Sequence, residues 1–166
     1  MAPVIRGRKT AIIEGDFVVF LIGARINAFW KFWKWFPVIS AMPRMLRELA
    51  QHPELGLLHA RTHFGFRSAM VVQYWRSFEQ LHDYATNRTR EHLPAWTAFN
   101  RAAGDQPDVG IWHETYLVRA GEYESIYRDM PLWGLGRATT LVDPVGQKRS
   151  AKGRLGLSQG DDQPVE

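Results

Sequence analysis

Residues 69–101 read AMVVQYWRSFEQLHDYATNRTREHLPAWTAFNR, and their periodicity changes part-way along. The run from Ala69 to Tyr74-Trp75 is apolar and rich in strand-forming residues, so it predicts a strand. Ser77 followed by Gln80 has the spacing of a helix capping box. From there Phe78, Leu81 and Ala85 mark the buried side of a helix, with Tyr84 at its edge. The pattern breaks near Thr86–Arg90 and resumes as a second helix. In it His92, Trp96, Phe99 and Ala103 fall at i, i+4, i+7 and i+11, which places the histidine on the core-facing stripe. A strand ending in an aromatic and leading into a broken helix with one histidine is a natural pocket wall.

Working upstream, Asp16–Asn27 (DFVVFLIGARIN) predicts another strand. Its row Val18, Phe20, Ile22, Ala24 and Ile26 is wholly apolar and should face helices. The opposite row, with Arg25 and Asn27, should face solvent or a partner sheet. Residues 28–39, AFWKFWKWFPVI, predict an aromatic lid or helix, with interfacial contact to a membrane surface through 28–36 as the sharper reading. Pro37 is expected to end or kink it, and Ser40 to cap a following helix with Pro43 in its first turn. Met42, Met45, Leu46 and Leu49 then form a buried stripe. Leu57–Phe64 and Phe66–Trp75 predict a hairpin around Gly65-Phe66-Arg67, with His59, Arg61 and His63 on one face. Downstream, Val109–Val118 predicts a fourth strand, with Ile111, His113, Thr115 and Leu117 on one side and Trp112, Glu114 and Tyr116 on the other.

The order β-α-β-β-α-β is the ferredoxin-like arrangement, an α+β two-layer sandwich. Both helices on one side of a sheet leave the other side uncovered, so such units pair sheet to sheet. The expected organisation is an N-terminal arm over 1–14, one ferredoxin-like domain with a C-terminal extension over 15–146, and a disordered tail over 147–166.

Charge and composition narrow the function. The pI of about 9.6 suggests nucleic acid at first. The excess, however, sits at the ends: residues 10–146 hold fourteen Lys and Arg against fourteen Asp and Glu. A nucleic-acid binder carries its basic stripe on the folded body, so nucleic acid is not the expected partner. With no cysteine, disulfides, thiolate nucleophiles and Cys-ligated metals are excluded. No signal-peptide pattern is read near Arg6, Arg8 and Lys9, and the longest apolar run, Phe17–Ala24, is too short to span a bilayer as a helix. The expected location is cytoplasmic.

YWRSFEQLHDYA, HLPAWTAFNR, GIWHETY and YESIYRDMPLWGLGRAT resemble the monooxygenase-like family of the dimeric α/β-barrel superfamily, over roughly residues 16–140. That family is largely of unknown function. The resemblance implies a ferredoxin-like homodimer, a dimeric α/β barrel, with a pocket between helices and sheet in each protomer. Some relatives oxidise aromatic polyketides without a cofactor, and others bind haem through a histidine on the second helix. That role carries to His92, and secondary metabolism is the implied setting.

His92 on its helix and His113 on its strand converge on one cavity if the His113 row faces the helices, with Trp75, Tyr84, Trp96 and Phe99 nearby. The expected site is therefore His92, His113 and Tyr84 as catalytic groups, with Trp75, Trp96, Phe99 and Arg76 holding substrate. The leading reading is an oxidative enzyme on a small apolar or aromatic substrate. A histidine acts as base, or His92 ligates haem iron. No metal site beyond haem iron is expected: His59 and His63 have no third ligand at diagnostic spacing. The alternatives are a non-catalytic binder of an apolar ligand or haem, and a cofactor-independent isomerase or cyclase. No flavin, nicotinamide or phosphate-loop pattern is present, and no serine sits in a Gly-x-Ser-x-Gly turn.

Overall fold

The computed structural model describes residues 2–90, 97, 100 and 107–157. It divides into a unit of residues 18–116 and a unit formed by 1–17 with 117–166. The expected arm over 1–14 is instead a strand, β1 (Ile5–Ile12). Thr10 and Ala11 are buried there, while Lys9 pairs with Asp143 at 2.6 Å. The arm reading followed the cations and missed the strand.

The unit of residues 18–116 begins within β2 (Phe17–Ile26) and continues through a helix, α1 (Phe32–Gln51). Two strands follow, β3 (Leu57–Phe64) and β4 (Ser68–Trp75), then a second helix, α2 (Phe78–Thr86), and β5 (Val109–Val118). The sheet order is β3-β4-β2-β5, the ferredoxin-like order. Each of these four strands lies within two residues of its expected span. In the turn Gly65–Arg67, the Gly65 N–H donates to the Ser68 carbonyl at 2.8 Å, closing the hairpin. Ser77 caps α2 by accepting from the Gln80 N–H at 3.2 Å. Gln80 does not reach back as a capping box requires; its amide donates to the Glu54 carbonyl at 3.1 Å. The rest of the second helical segment, with His92, Trp96 and Phe99, lies outside the described residues, apart from Thr97 and Asn100, which are helical and exposed.

One expectation about α1 is overturned. Pro37 does not end a helix and Ser40 does not begin one: both lie inside a single 20-residue helix, with Pro43 further along. The prolines remove N–H donors that would have reached the carbonyls of Trp33 and Ile39, at a cost of about 3 kcal/mol each. Burial on the other side of the helix offsets this. Ala41, Met45 and Leu49 are buried, and a large apolar side chain contributes about 1.5–3 kcal/mol when fully buried. The Ser40 hydroxyl also donates to the Pro37 carbonyl at 3.0 Å.

Both helices pack on the same side of the sheet. Val18, Leu49, Trp75, Leu81 and Tyr84 form the core cluster, with Phe20, Leu55 and Leu57 packed against it. Trp75 is its centre at 1% exposure, and its indole N–H donates to Gln73 Oε1 at 2.8 Å.

In the other unit, β6 (Tyr127–Met130) and β7 (Thr140–Val142) flank β1 in a three-stranded sheet of order β6-β1-β7. The ferredoxin-like unit is thus shorter than the expected 15–146, because residues 117–142 join the N-terminal strand. The tail expected from 147 is ordered at first: a 3₁₀ turn at Gly146–Arg149 and a helical turn at Ala151–Arg154 are tied down by an Arg154–Glu124 ion pair. Residues 158–166 lie outside the described residues.

Replacing Trp75 with Phe should lower stability by about 1–3 kcal/mol in urea unfolding, because the buried Gln73 oxygen loses its donor. Adding Gln73→Leu should recover part of that loss, since removing both partners leaves no orphaned polar atom.

Candidate functional site

The helix-facing side of the sheet carries a row that crosses all four strands. Ala60 on β3 is the cross-strand partner of Gln73 on β4, and Gln73 is the partner of Phe20 on β2. The Phe20 ring centroid lies 5.7 Å from that of His113 on β5. His113 therefore lies on the same side as Phe20, with the rest of its row by alternation. It is exposed rather than buried, and among the described residues no hydrogen bond fixes its imidazole. The ring keeps both nitrogens for exchange with a bound molecule.

Gln73 is buried within this row. Because Trp75 occupies its Oε1, the amide offers its NH2 as donor. A donor beside an aromatic ring and a histidine suits a flat molecule with one polar edge. This is the combination that apolar binding sites use to orient a ligand.

The expected site residues separate. Trp75 and Tyr84 are together, with centroids 6.0 Å apart, but both belong to the core and are not open walls. The Tyr84 hydroxyl donates to Glu48 Oε2 at 2.8 Å, and the other Glu48 oxygen faces Arg90 at 3.5 Å. Tyr84 is thus tied to a half-buried carboxylate on α1, in the arrangement of a structural strut. Arg76 is exposed and donates to the Pro53 carbonyl at 3.3 Å, while its backbone N–H donates to Gly56 O at 2.9 Å. It holds the turn before β3 and is not placed beside His113 through any described contact. His92, Trp96 and Phe99 lie outside the described residues. Among the described residues there is no group of three or more His, Asp or Glu side chains that could hold a metal ion.

The opposite side of the sheet is more polar. His59, Arg61 and His63 on β3 lie across from Tyr74, Val72 and Met70 on β4, and all six are half-buried. On β5 the Trp112 indole covers Gly23 so closely that an added methyl there would stand 2.6 Å from its ring. Glycine at this position lets the indole lie against the sheet. Further along, the Tyr116 hydroxyl donates to Glu114 Oε2 at 2.5 Å. That hydrogen bond, with the carboxylate charge behind it, holds the phenol above its ordinary pKa.

Residues 17–135 match the Monooxygenase af470-like family, a span that takes in the whole of the ferredoxin-like unit and continues past it. The chain belongs to that family. Among curated proteins it is 29% identical over 172 residues to monooxygenase af470 of Aspergillus fumigatus, which covers 86% of this chain. The match spans only 58% of that relative's length. Among solved structures, an aldoxime dehydratase in complex with butyraldoxime superposes with a TM-score of 0.65 at 17% identity, over 82% of this chain and 43% of that one. The cofactor-independent oxygenase SnoaB from Streptomyces nogalater gives a TM-score of 0.45 at 15% identity, over 63% of this chain and 94% of that one. At such identities the likeness to the dehydratase concerns the fold.

Three residues of this region escaped the sequence reading. Gln73 sits in an apolar strand, and a lone glutamine there carries no periodic signal. Glu48 borders the buried stripe of α1 beside Leu49, and a carboxylate at the edge of an apolar face is a weak hint of a buried partner. Arg90 lies in the break after α2, where no spacing rule applies.

The Tyr116–Glu114 contact has a pH signature. A phenol with a raised pKa contributes stability that is complete below the ordinary phenol value and is lost as pH rises through the raised one. Spectrophotometric titration should show one tyrosine of the wild type ionising at higher pH than in Glu114→Gln. Superimposable titration curves would show that the carboxylate does not hold the phenol.

Proposed function

We propose that this chain is an oxidative, monooxygenase-like enzyme that acts, as a homodimer, on a small apolar or aromatic substrate held over the Phe20–His113 row. The observation that carries the reading is that the family match includes every strand of that row. Phe20 offers the flat apolar contact, His113 an imidazole open to exchange protons, and Gln73 a donor for a substrate oxygen. The side of the sheet with Met70, Val72, Trp112 and Tyr116 is the surface offered to a second protomer.

The chemistry these side chains supply is proton removal. The His113 imidazole takes a proton from an activated CH2 or phenol, and the Gln73 amide stabilises the anion by donating to its oxygen. An electron-rich anion of this kind reacts with dioxygen directly. At a CH2 group one oxygen atom ends as the new carbonyl and the other leaves as water. The carbon gives up four electrons and dioxygen accepts them. The core cluster beneath the row keeps water from the lower face of the substrate. His92, the expected haem ligand, lies outside the described residues, and the proton transfer needs only His113 and Gln73.

Oxygen uptake with dithranol, an electron-rich dihydroxyanthrone, checks the reading. The wild type should consume dioxygen and form the corresponding ketone faster than buffer. His113→Ala should slow this on the order of 10²-fold with little change in thermal stability. A probe recovered unchanged with no oxygen uptake would favour a binding module, and product formed without oxygen an isomerase. An absorbance spectrum adds the haem arm: a Soret band lost in His92→Ala assigns haem to that histidine. A colourless protein that takes up no added haemin removes haem from the reading.

A further inference from the structure

The region around the start of α1 has an unusual surface. Trp30, Phe32, Trp33 and Phe36 are exposed there, with Trp30 at 71%. A second segment joins them. Phe64 and Phe66 stand out from the β3–β4 turn, with Phe66 at 93% exposure. Phe29 links the two: its ring stacks on Phe66 with centroids 6.4 Å apart, and it lies 5.7 Å from Trp35. Two segments distant in sequence thus build one aromatic patch, larger than the isolated apolar residues common on protein surfaces.

The segment is also fixed in place. The Asn27 and Ala28 N–H groups both donate to the Asp108 carbonyl, at 2.9 and 3.1 Å. Lys31 grips both carboxylate oxygens of Asp108, at 2.8 and 3.0 Å. The Trp35 indole N–H donates to the Phe29 carbonyl at 3.0 Å, turning that ring inward and leaving the others outside.

Charge separates the candidate occupants. The sequence has no Asp or Glu between Asp16 and Glu48, and none between Glu54 and Glu79. Asp108, which reaches the patch, is paired with Lys31. Arg67 stands beside the aromatics and Arg47 further along α1, and both are cations. Arg47 lies on the same exposed side of α1 as Phe32, Trp33 and Phe36. A second copy of the patch would set cations against cations. Tryptophan and phenylalanine rimmed by lysine and arginine suit the headgroup layer of a bilayer, where rings sit at the acyl boundary and cations meet lipid phosphates.

We propose that the start of α1 and the β3–β4 turn form a docking site for a bilayer surface bearing anionic lipid, with Trp30, Trp33 and Phe66 entering the interface. Among the described residues no helix is long and apolar enough to span a bilayer. The proposal does not depend on the oxidative reading.

Flotation of the full chain with phosphatidylcholine vesicles, with and without phosphatidylglycerol, tests it. The wild type should float with vesicles containing phosphatidylglycerol, and less so as salt rises. Trp30→Ala with Trp33→Ala should weaken that binding about tenfold or more, with an unchanged melting midpoint because both side chains are exposed. Phe66→Ser should weaken it as well, since the turn is part of the same surface. Failure of the wild type to float, or equal flotation of all variants, overturns the proposal. So does a loss of self-association in the lipid-free variants without any vesicle binding by the wild type, which would make a second copy the occupant.

Discussion

The indole N–H of Trp75 is a donor sealed inside the protein, and a buried donor without an acceptor costs about 1–3 kcal/mol. Gln73 meets it from two residues earlier on the same strand and the same face. That one hydrogen bond lets the largest side chain of the core sit at the centre of the sheet, with Leu49 of α1 and Leu81 and Tyr84 of α2 closing over it. It also sets the orientation of the Gln73 amide. The contact that completes the core thereby fixes the polar group next to Phe20, and core and site share a strand, a face and a side chain.

The two sides of this sheet are specialised in different ways. On the helix side the β2 row is apolar, and its Phe20 is bracketed by Gln73 of β4 and His113 of β5. The other side mixes histidines and arginine with Met70, Val72 and Tyr74, and is capped by the indole lying on Gly23. A surface meant for water alone would not need a tryptophan pressed onto a glycine. Neither side resembles the start of α1, where Trp30, Phe32, Trp33 and Phe36 are exposed. Three surfaces of one small unit thus have three chemistries.

Most of the ferredoxin-like unit was legible in the sequence because its strands alternate and its turns carry glycine or a capping serine. Val109–Val118 was read to the residue, and strand parity put His113 on one row with Ile111, Thr115 and Leu117. Three features resisted. β1 was hidden because its cations mimic a solvated arm and its partners lie far away: the Gly7 N–H donates to Asp129, 122 residues on. Pro37 argued for a helix end, but local propensity yields when enough apolar surface is buried on the opposite face. The exposure of His113 and the buried role of Gln73 depend on which side chains cover which, and periodicity carries no information about that. Trp75, read as a substrate contact, and Tyr84, read as catalytic, were expected near one another, and both lie in the core cluster.

The ferredoxin-like unit is inserted, in sequence, between the two parts that make the second sheet. β2 and β5 are neighbours, and at one end of the pair Asn27 bonds to Asp108. At the other end the Ala120 N–H donates to Asp16 at 2.9 Å. The insertion therefore releases its two ends side by side. For the outer strands, the long intervening chain behaves as a short one once the insertion has folded, and most of the loop-closure entropy is already spent. A sheet whose middle strand comes from one end of the chain and whose flanks come from the other would otherwise be slow to assemble. Its formation is expected to follow the folding of the insertion, not compete with it.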